Sequence, residues 1–424
     1  MKHFIFLLVC LVFSYFAMAQ STLEECQQLS QKNYPLISNY GLIDQSSSFT
    51  ISNVAKAWLP QISFSAQASY QSDVTSFPDQ IMQVYQKMGI NIHALNKDQY
   101  KLALDVNQTL WDAGASKAKR NIALSQAEAQ KASLDVDMYA IRIKINDLFF
   151  GVLLLYSQLE QNKLSQELLK SNLAQVKAMV ANGTAMQCEA DAIEAELLTL
   201  MQQEGKICSS RDAFLQMLSL FTGKQITSIK EPEEANIQVQ DCSREELVYI
   251  EKLNESISAQ ESLIKSSTLP QLYASFQGLY GNPGLNFFKD MTQNKWSLNY
   301  IAGIKFQWNF GAFYTKSNNL QALKIARAQN ETQRQTFLFN NKIQATSQQR
   351  EIARLRKEIE NDNQIVSLRA SVRKAYESKL AGGTINITEL LQQITAESIA
   401  KNNEASHHIE LLKNIYDLKY ILNK

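Results

Sequence analysis

Few of the side chains that could do chemistry are spaced to do it together. His407 and His408 are neighbours in a helix-forming stretch, so their rings diverge, and the pair reads as a surface feature rather than a metal site. Gly223-Lys224 lacks both the upstream glycine and the following Ser or Thr of a phosphate-cradling loop. The ten methionines form no cluster of the kind that handles copper or silver. After Cys10, the cysteines Cys26, Cys188, Cys208 and Cys242 show no C-x-x-C spacing. Cys188 and Cys208 would lie about 30 Å apart on one helix, too far to bridge, which leaves Cys26–Cys242 as the pairing open in an oxidising compartment. The expectation is no enzyme, no cofactor and no resident metal. One pair of acids differs: Glu189 and Glu389 each follow a Gly-Thr pair, and each stands six residues past its glycine.

The elements that position those acids follow from composition. The chain has 424 residues but only 14 Gly and 6 Pro, where average usage predicts about 30 and 21. Long uninterrupted elements are expected, not a sandwich that turns every ten residues. Residues 1–19 read as a cleaved signal peptide, with Lys2, an apolar run from Phe4 to Phe13, and Ala17-Met18-Ala19 before Gln20. Its removal takes one Lys and no acid, leaving a mature chain of zero net charge and no basic surplus for nucleic acid. No apolar segment beyond it is long enough for a transmembrane helix.

The chain also matches itself. Trp58-Leu59-Pro60-Gln61-Ile62 recurs as Thr268-Leu269-Pro270-Gln271-Leu272, Trp111-Asp112-Ala113-Gly114 as Trp308-Asn309-Phe310-Gly311, and Val180-Ala181-Asn182-Gly183-Thr184 as Leu380-Ala381-Gly382-Gly383-Thr384. Three matches in one order at nearly one shift argue for a duplication, with changes of length expected in the connections. The first repeat is read as 20–221, an equatorial connection as 222–244, and the second repeat as 245–424.

Within each repeat the period switches. Ile62, Phe64, Ala66, Ala68 and Tyr70 alternate with Gln and Ser, a strand pattern. Similar alternation predicts strands at about 61–73, 100–112, 271–281 and 296–310. Tyr70, Tyr100, Trp111, Tyr280, Trp296 and Trp308 fall near their ends, as membrane-interface aromatics do. Helical stretches follow at 113–182 and 312–382, each a rod of about 105 Å. Helices then return over 184–221 and 384–422 and rise into the strands over 35–59 and 245–269.

Four strands cannot close a barrel in lipid, because small barrels begin at about eight and open edges are forbidden there. A homotrimer solves this. The fold class is therefore a mixed α/β membrane protein: a trimeric 12-stranded transmembrane β-barrel, four strands per protomer, continued by a long periplasmic α-helical barrel. A passive porin lacks such helices, and a periplasmic coiled-coil spacer needs no aromatic-ended hairpins.

Leu23-Glu24-Glu25-Cys26, Asn33-Tyr34-Pro35, both Leu-Pro-Gln segments, both Trp-x-x-Gly segments and both Gly-Thr turns together resemble the TolC family of outer-membrane efflux proteins. The resemblance covers essentially the whole mature chain. It implies a homotrimer in the outer membrane of a Gram-negative bacterium, extending into the periplasm. Such a trimer docks with a periplasmic adaptor and an inner-membrane pump, of the resistance or ABC type, and exports drugs, other small molecules or proteins, open at the outer face and closed at the periplasmic tip. By the same resemblance Glu189 and Glu389 ring the periplasmic constriction, and Gln392 stands where a second acid is common. Asn182, Gly183, Thr184, Gly382, Gly383 and Thr384 form the adaptor-docking turns. Leu380 and Ile385 replace the Tyr and Arg that tie some members shut.

Overall fold

The computed structural model describes residues 20–235 and 243–423. The expected signal peptide with Cys10, and Cys242 of the Cys26–Cys242 pairing, lie outside the described residues. The first half contains α1 (Leu23–Asn33), α2 (Ser38–Lys56), β1 (Gln61–Tyr70), α3 (Asp79–Lys87), β2 (Asp98–Trp111), α4 (Ala115–Ala181) and α5 (Gln187–Thr222). The second contains α6 (Glu245–Ser266), β3 (Gln271–Asn282), α7 (Phe287–Gln293), β4 (Ser297–Gln307), α8 (Gly311–Ala381) and α9 (Ile387–Leu422). Two compact units result, and neither is one repeat: Gly41–Lys131 joins Tyr249–Gln333, while Ala132–Val248 joins Met1–Tyr40 and Arg334–Lys424.

In the first of these units the four strands form one antiparallel sheet in chain order. Ile62 faces Val106, Leu102 faces Tyr280, and Leu272 faces Phe306, so even-numbered residues meet even-numbered ones everywhere but at Trp111. The apolar positions of all four strands therefore share one face. Ser63, Ser65, Gln67, Lys101, Asp105, Gln277 and Lys305 share the other. A bulge between Thr109 and Trp111 leaves Leu110 unpaired and sets Trp111 opposite Leu272, which moves an odd-numbered tryptophan to the apolar face.

Each strand-to-helix joint has a side-chain cap. Asp112 accepts hydrogen bonds from the Gly114 N–H at 3.0 Å and the Ser116 N–H at 2.6 Å, while Ala113 and Gly114 take φ of 56° and 83°. Asn309 accepts from the Gly311 N–H at 3.1 Å. The Asp or Asn inside each Trp-x-x-Gly segment is thus an Asx turn that starts a helix. The joints are also tied to the preceding strand starts. The Trp308 indole donates to the Thr268 carbonyl at 3.1 Å, and the Gln108 amide donates to the Trp58 carbonyl, two residues before Pro270 and Pro60 respectively. β4 stops at Gln307, short of the expected 310, where its partner strand β3 begins at Gln271.

In the other unit the core lies between α4, α5, α8 and α9. Ile145, Phe149, Phe150 and Val152 on α4 are fully buried. At Gly151 a β-carbon would stand 2.5 Å from the Phe214 ring, so only glycine admits this approach of α4 to α5. The end of α5 is pinned: Asn33 donates to the Leu220 and Phe221 carbonyls, each at 3.2 Å, and Tyr34 stacks on Phe221. Two expectations need correction. The shift is 197 residues at the Trp-x-x-Gly segments and 200 at the Gly-Thr turns, so the difference of length lies within the long helices, 67 residues in α4 and 71 in α8, not in a connection. His407 is half-buried rather than fully at the surface, its Nδ1 lying 2.6 Å from the buried Asp362 carboxylate, while His408 is exposed.

Candidate functional site

The two Gly-Thr turns are built alike, bond for bond. Gly183 takes φ of 71°, its N–H donates to the Val180 carbonyl at 3.0 Å, and the Thr184 N–H donates to the Met179 carbonyl at 2.9 Å. Gly383 takes φ of 69°, and the bonds from Gly383 to Leu380 and from Thr384 to Lys379 measure 2.9 and 3.0 Å. This double bond is the Schellman closure, which needs a left-handed residue and so selects glycine. Both threonine hydroxyls donate to the same carbonyls as their own amides, each at 3.0 Å.

The acids after the turns serve the next helices differently. The Glu189 carboxylate accepts from the Met186 N–H at 3.1 Å, capping α5 with an acid. At α9 the Asn386 side chain takes that task by accepting from the Glu389 N–H at 3.0 Å. Glu189 and Glu389 are part-exposed and Gln392 is exposed, while Asn182, Gly183, Thr184, Gly382, Gly383 and Thr384 all lie at the surface.

Beneath the turns, the hairpins are joined by an apolar cluster drawn from all four helices, including Val176, Ile193, Leu380, Ile387, Leu390 and Ile394. Ile193 and Leu390 are completely buried. Ile385 packs against the same cluster. Leu380 and Ile385 are thus used to pack one hairpin on the other. Nearby, the Arg373 guanidinium donates to Glu397 and, at 2.6 Å, to Glu377, and Lys401 lies 2.9 Å from Glu397. Burial pushes the Glu397 carboxyl up, but the bonds from Lys401 and Arg373 outweigh it and hold the group below the usual range. Burial raises the Cys26 thiol to about 11.

On the sheet the aromatics form two groups. Trp296 lies against Tyr100 and Tyr280 at ring distances of 6.0 and 5.2 Å, at the end where the strands run into loops. Trp111 and Trp308 stand at the end that meets the helices. All of these and Tyr70 are exposed. Among the described residues no cluster of His, Cys, Asp or Glu could hold a metal ion, and no helix is long and apolar enough to cross a membrane.

Solved structures now supply a comparison. The outer membrane protein VceC of Vibrio cholerae aligns with TM-score 0.64 over 94% of this chain and 95% of its own, at 13% identity. The CusC transmembrane channel aligns with TM-score 0.69 over 95% and 92% at 12% identity. This is the outer-membrane channel fold. MtrE, an outer membrane channel of Neisseria gonorrhoeae, shares it with TM-score 0.62 over 94% and 88%, again at 12% identity. No family model and no curated protein matches the sequence. At such identities the outer-membrane channel fold is carried by pattern: paired turns, paired caps and alternation.

Sequence reasoning missed the caps at Asp112 and Asn309, although an Asx residue at the same place in both Trp-x-x-Gly segments was the available signal. It also missed the inter-hairpin cluster, whose apolar spacing on α5 and α9 is that of any helical core.

Proposed function

We propose that this protein is the outer-membrane exit duct of a tripartite export system, in which three copies close a 12-stranded barrel and a helical barrel below it. One observation carries the reading: β1 and β4 pair with nothing beyond their single neighbours among the described residues, and the sheet's apolar face is exposed, with Phe64, Leu298, Ile304 and Phe306 each about two-thirds or more accessible. Such edges and such a face are tolerated only if other copies continue the sheet and lipid covers it. The eleven residue steps from Tyr100 to Trp111 span about 36 Å along the strand. At a barrel tilt of about 40° this gives about 28 Å, which fits the apolar band of about 25 Å between aromatic girdles.

In this reading the even face meets lipid and the Ser-, Gln- and Asn-rich odd face lines the lumen. Asn182, Gly183, Thr184, Gly382, Gly383 and Thr384 receive a periplasmic adaptor. Glu189 and Glu389 surround the periplasmic mouth, with Gln392 a turn further on. Six carboxylates in a trimer favour cations. Cargo is drug-like molecules or secreted protein handed over by the adaptor and its pump. Single-channel recording on purified protein tests it. A gated duct is nearly closed at rest, and the E189Q/E389Q variant raises conductance while lowering cation preference. A chain that conducts nothing in either form refutes the duct, and steady conductance unchanged by the substitutions refutes the gate.

A further inference from the structure

The odd face is not evenly exposed. At its helix end Ser63, Ser65, Lys305 and Gln307 are open to solvent, but toward the loop end Ala103 and its cross-strand partner Leu279 are 3% and 7% exposed. The loops after β1 and β3 lie at this end of the sheet. A β-carbon at Gly284 would stand 1.9 Å from the Ser297 hydroxyl and 2.5 Å from the Asn299 amide, both odd-numbered residues of β4. The chain leaving β3 therefore presses on the odd face itself.

The two loops are fastened to each other. The His93 N–H donates to the Met291 carbonyl at 2.9 Å, Asn96 donates to Asn294 at 3.0 Å, and the Phe77 ring lies 5.6 Å from Phe288 and 6.0 Å from Tyr85 on α3. Met291 and Asp290 are buried beneath, and the Asp290 carboxylate holds the Gly284 N–H at 2.6 Å. Among the polar residues that this welded cap exposes lies an apolar group. Ile81, Val84 and Met88 form one stripe along α3, and with Phe287 and Phe288 they are 42–71% exposed. An exposed apolar group of this size on a polar-lined face marks a functional surface.

We propose that the two loops form an apolar constriction at the outer mouth of the duct, so that the exit is narrowed by its own side chains rather than standing open. This rests on the assignment of the odd face to the lumen. Three copies would bring three such groups toward one axis, where an apolar ring holds back bulky hydrophilic solutes while still passing small ions, and yields to apolar or amphiphilic cargo. The fastenings between the loops lie within one chain and over β2 and β3, away from the sheet edges, so the cap belongs to the mouth and not to the seam between copies.

The test uses the full chain in lipid vesicles, with Cys26, Cys188, Cys208 and Cys242 replaced by Ala and single cysteines introduced. S65C, on the odd face below the cap, is challenged from the loop side with a maleimide on a bulky polyethylene glycol. Labelling is expected to rise at least about tenfold when V84S and F288S are added. A fluorophore on F288C is expected to be shielded from lipid-borne quenchers, and F288C chains are expected to cross-link to one another. Unchanged S65C labelling, or quenching of the F288C probe by lipid, overturns the constriction. A fluorophore on F64C separates the two readings: quenching there by lipid keeps the membrane face whatever becomes of the cap, and its absence removes the duct itself.

Discussion

Glycine at 183 and 383 is demanded by the backbone, since both residues sit at positive φ with a bond closed on either side. Gly183→Ala and Gly383→Ala should each cost about 1–2 kcal/mol, read as a lower denaturation midpoint with unchanged helix content. Glu397 allows a prediction in pH. Its carboxyl titrates lower folded than unfolded, so it contributes stability above its unfolded pKa and loses that contribution as pH falls through the folded value. E397Q should therefore lower the melting temperature near neutral pH and flatten the acid side of the profile. Equal loss at every pH would mean that packing, not ionisation, is what Glu397 supplies. The cysteines should separate by burial: Cys188 is exposed and Cys26 is buried, so a maleimide should modify Cys188 in the native protein and reach Cys26 only on unfolding.

The element that joins the two halves at the tip is the apolar cluster of α4, α5, α8 and α9. Leu390→Ala removes a fully buried side chain and should cost about 2–5 kcal/mol. Because the cluster lies directly beneath both turns, the loss should appear as faster amide exchange in 176–194 and 376–394 before any change in the sheet. How much of this was legible follows from what sequence periodicity can carry. A period of two is a property of single strands, and the strands at 61 and 271 begin at the glutamine after each Leu-Pro. The bulge that moves Trp111 to the apolar face depends on the partner strand, so no pattern in β2 alone could show it. The turn glycines were readable because a left-handed residue has few substitutes. Leu380 and Ile385 read as missing polar links, because only a neighbouring hairpin reveals them as packing.

At the scale of the whole molecule, the decisive property is that the sheet has two chemically different faces and two free edges. A single residue step across a strand should therefore separate lipid from lumen. Ile304 and Lys305 are adjacent on β4, exposed on opposite faces. Arg at 304 would place a charge in the apolar band, at about 2–4 kcal/mol per copy for a midplane position. In the proposed trimer the penalty would be incurred three times. Lys305→Gln removes a charge from the odd face and leaves that band untouched. Ile304→Arg is thus expected to abolish membrane extraction of an assembled oligomer while monomer with native helix content accumulates, and Lys305→Gln to assemble normally with shifted ion preference. The comparison is internally controlled, since both changes fall in one ladder of one strand. Equal tolerance of the two would mean that the even face is not covered by lipid, and the sheet would then need a protein partner on that side.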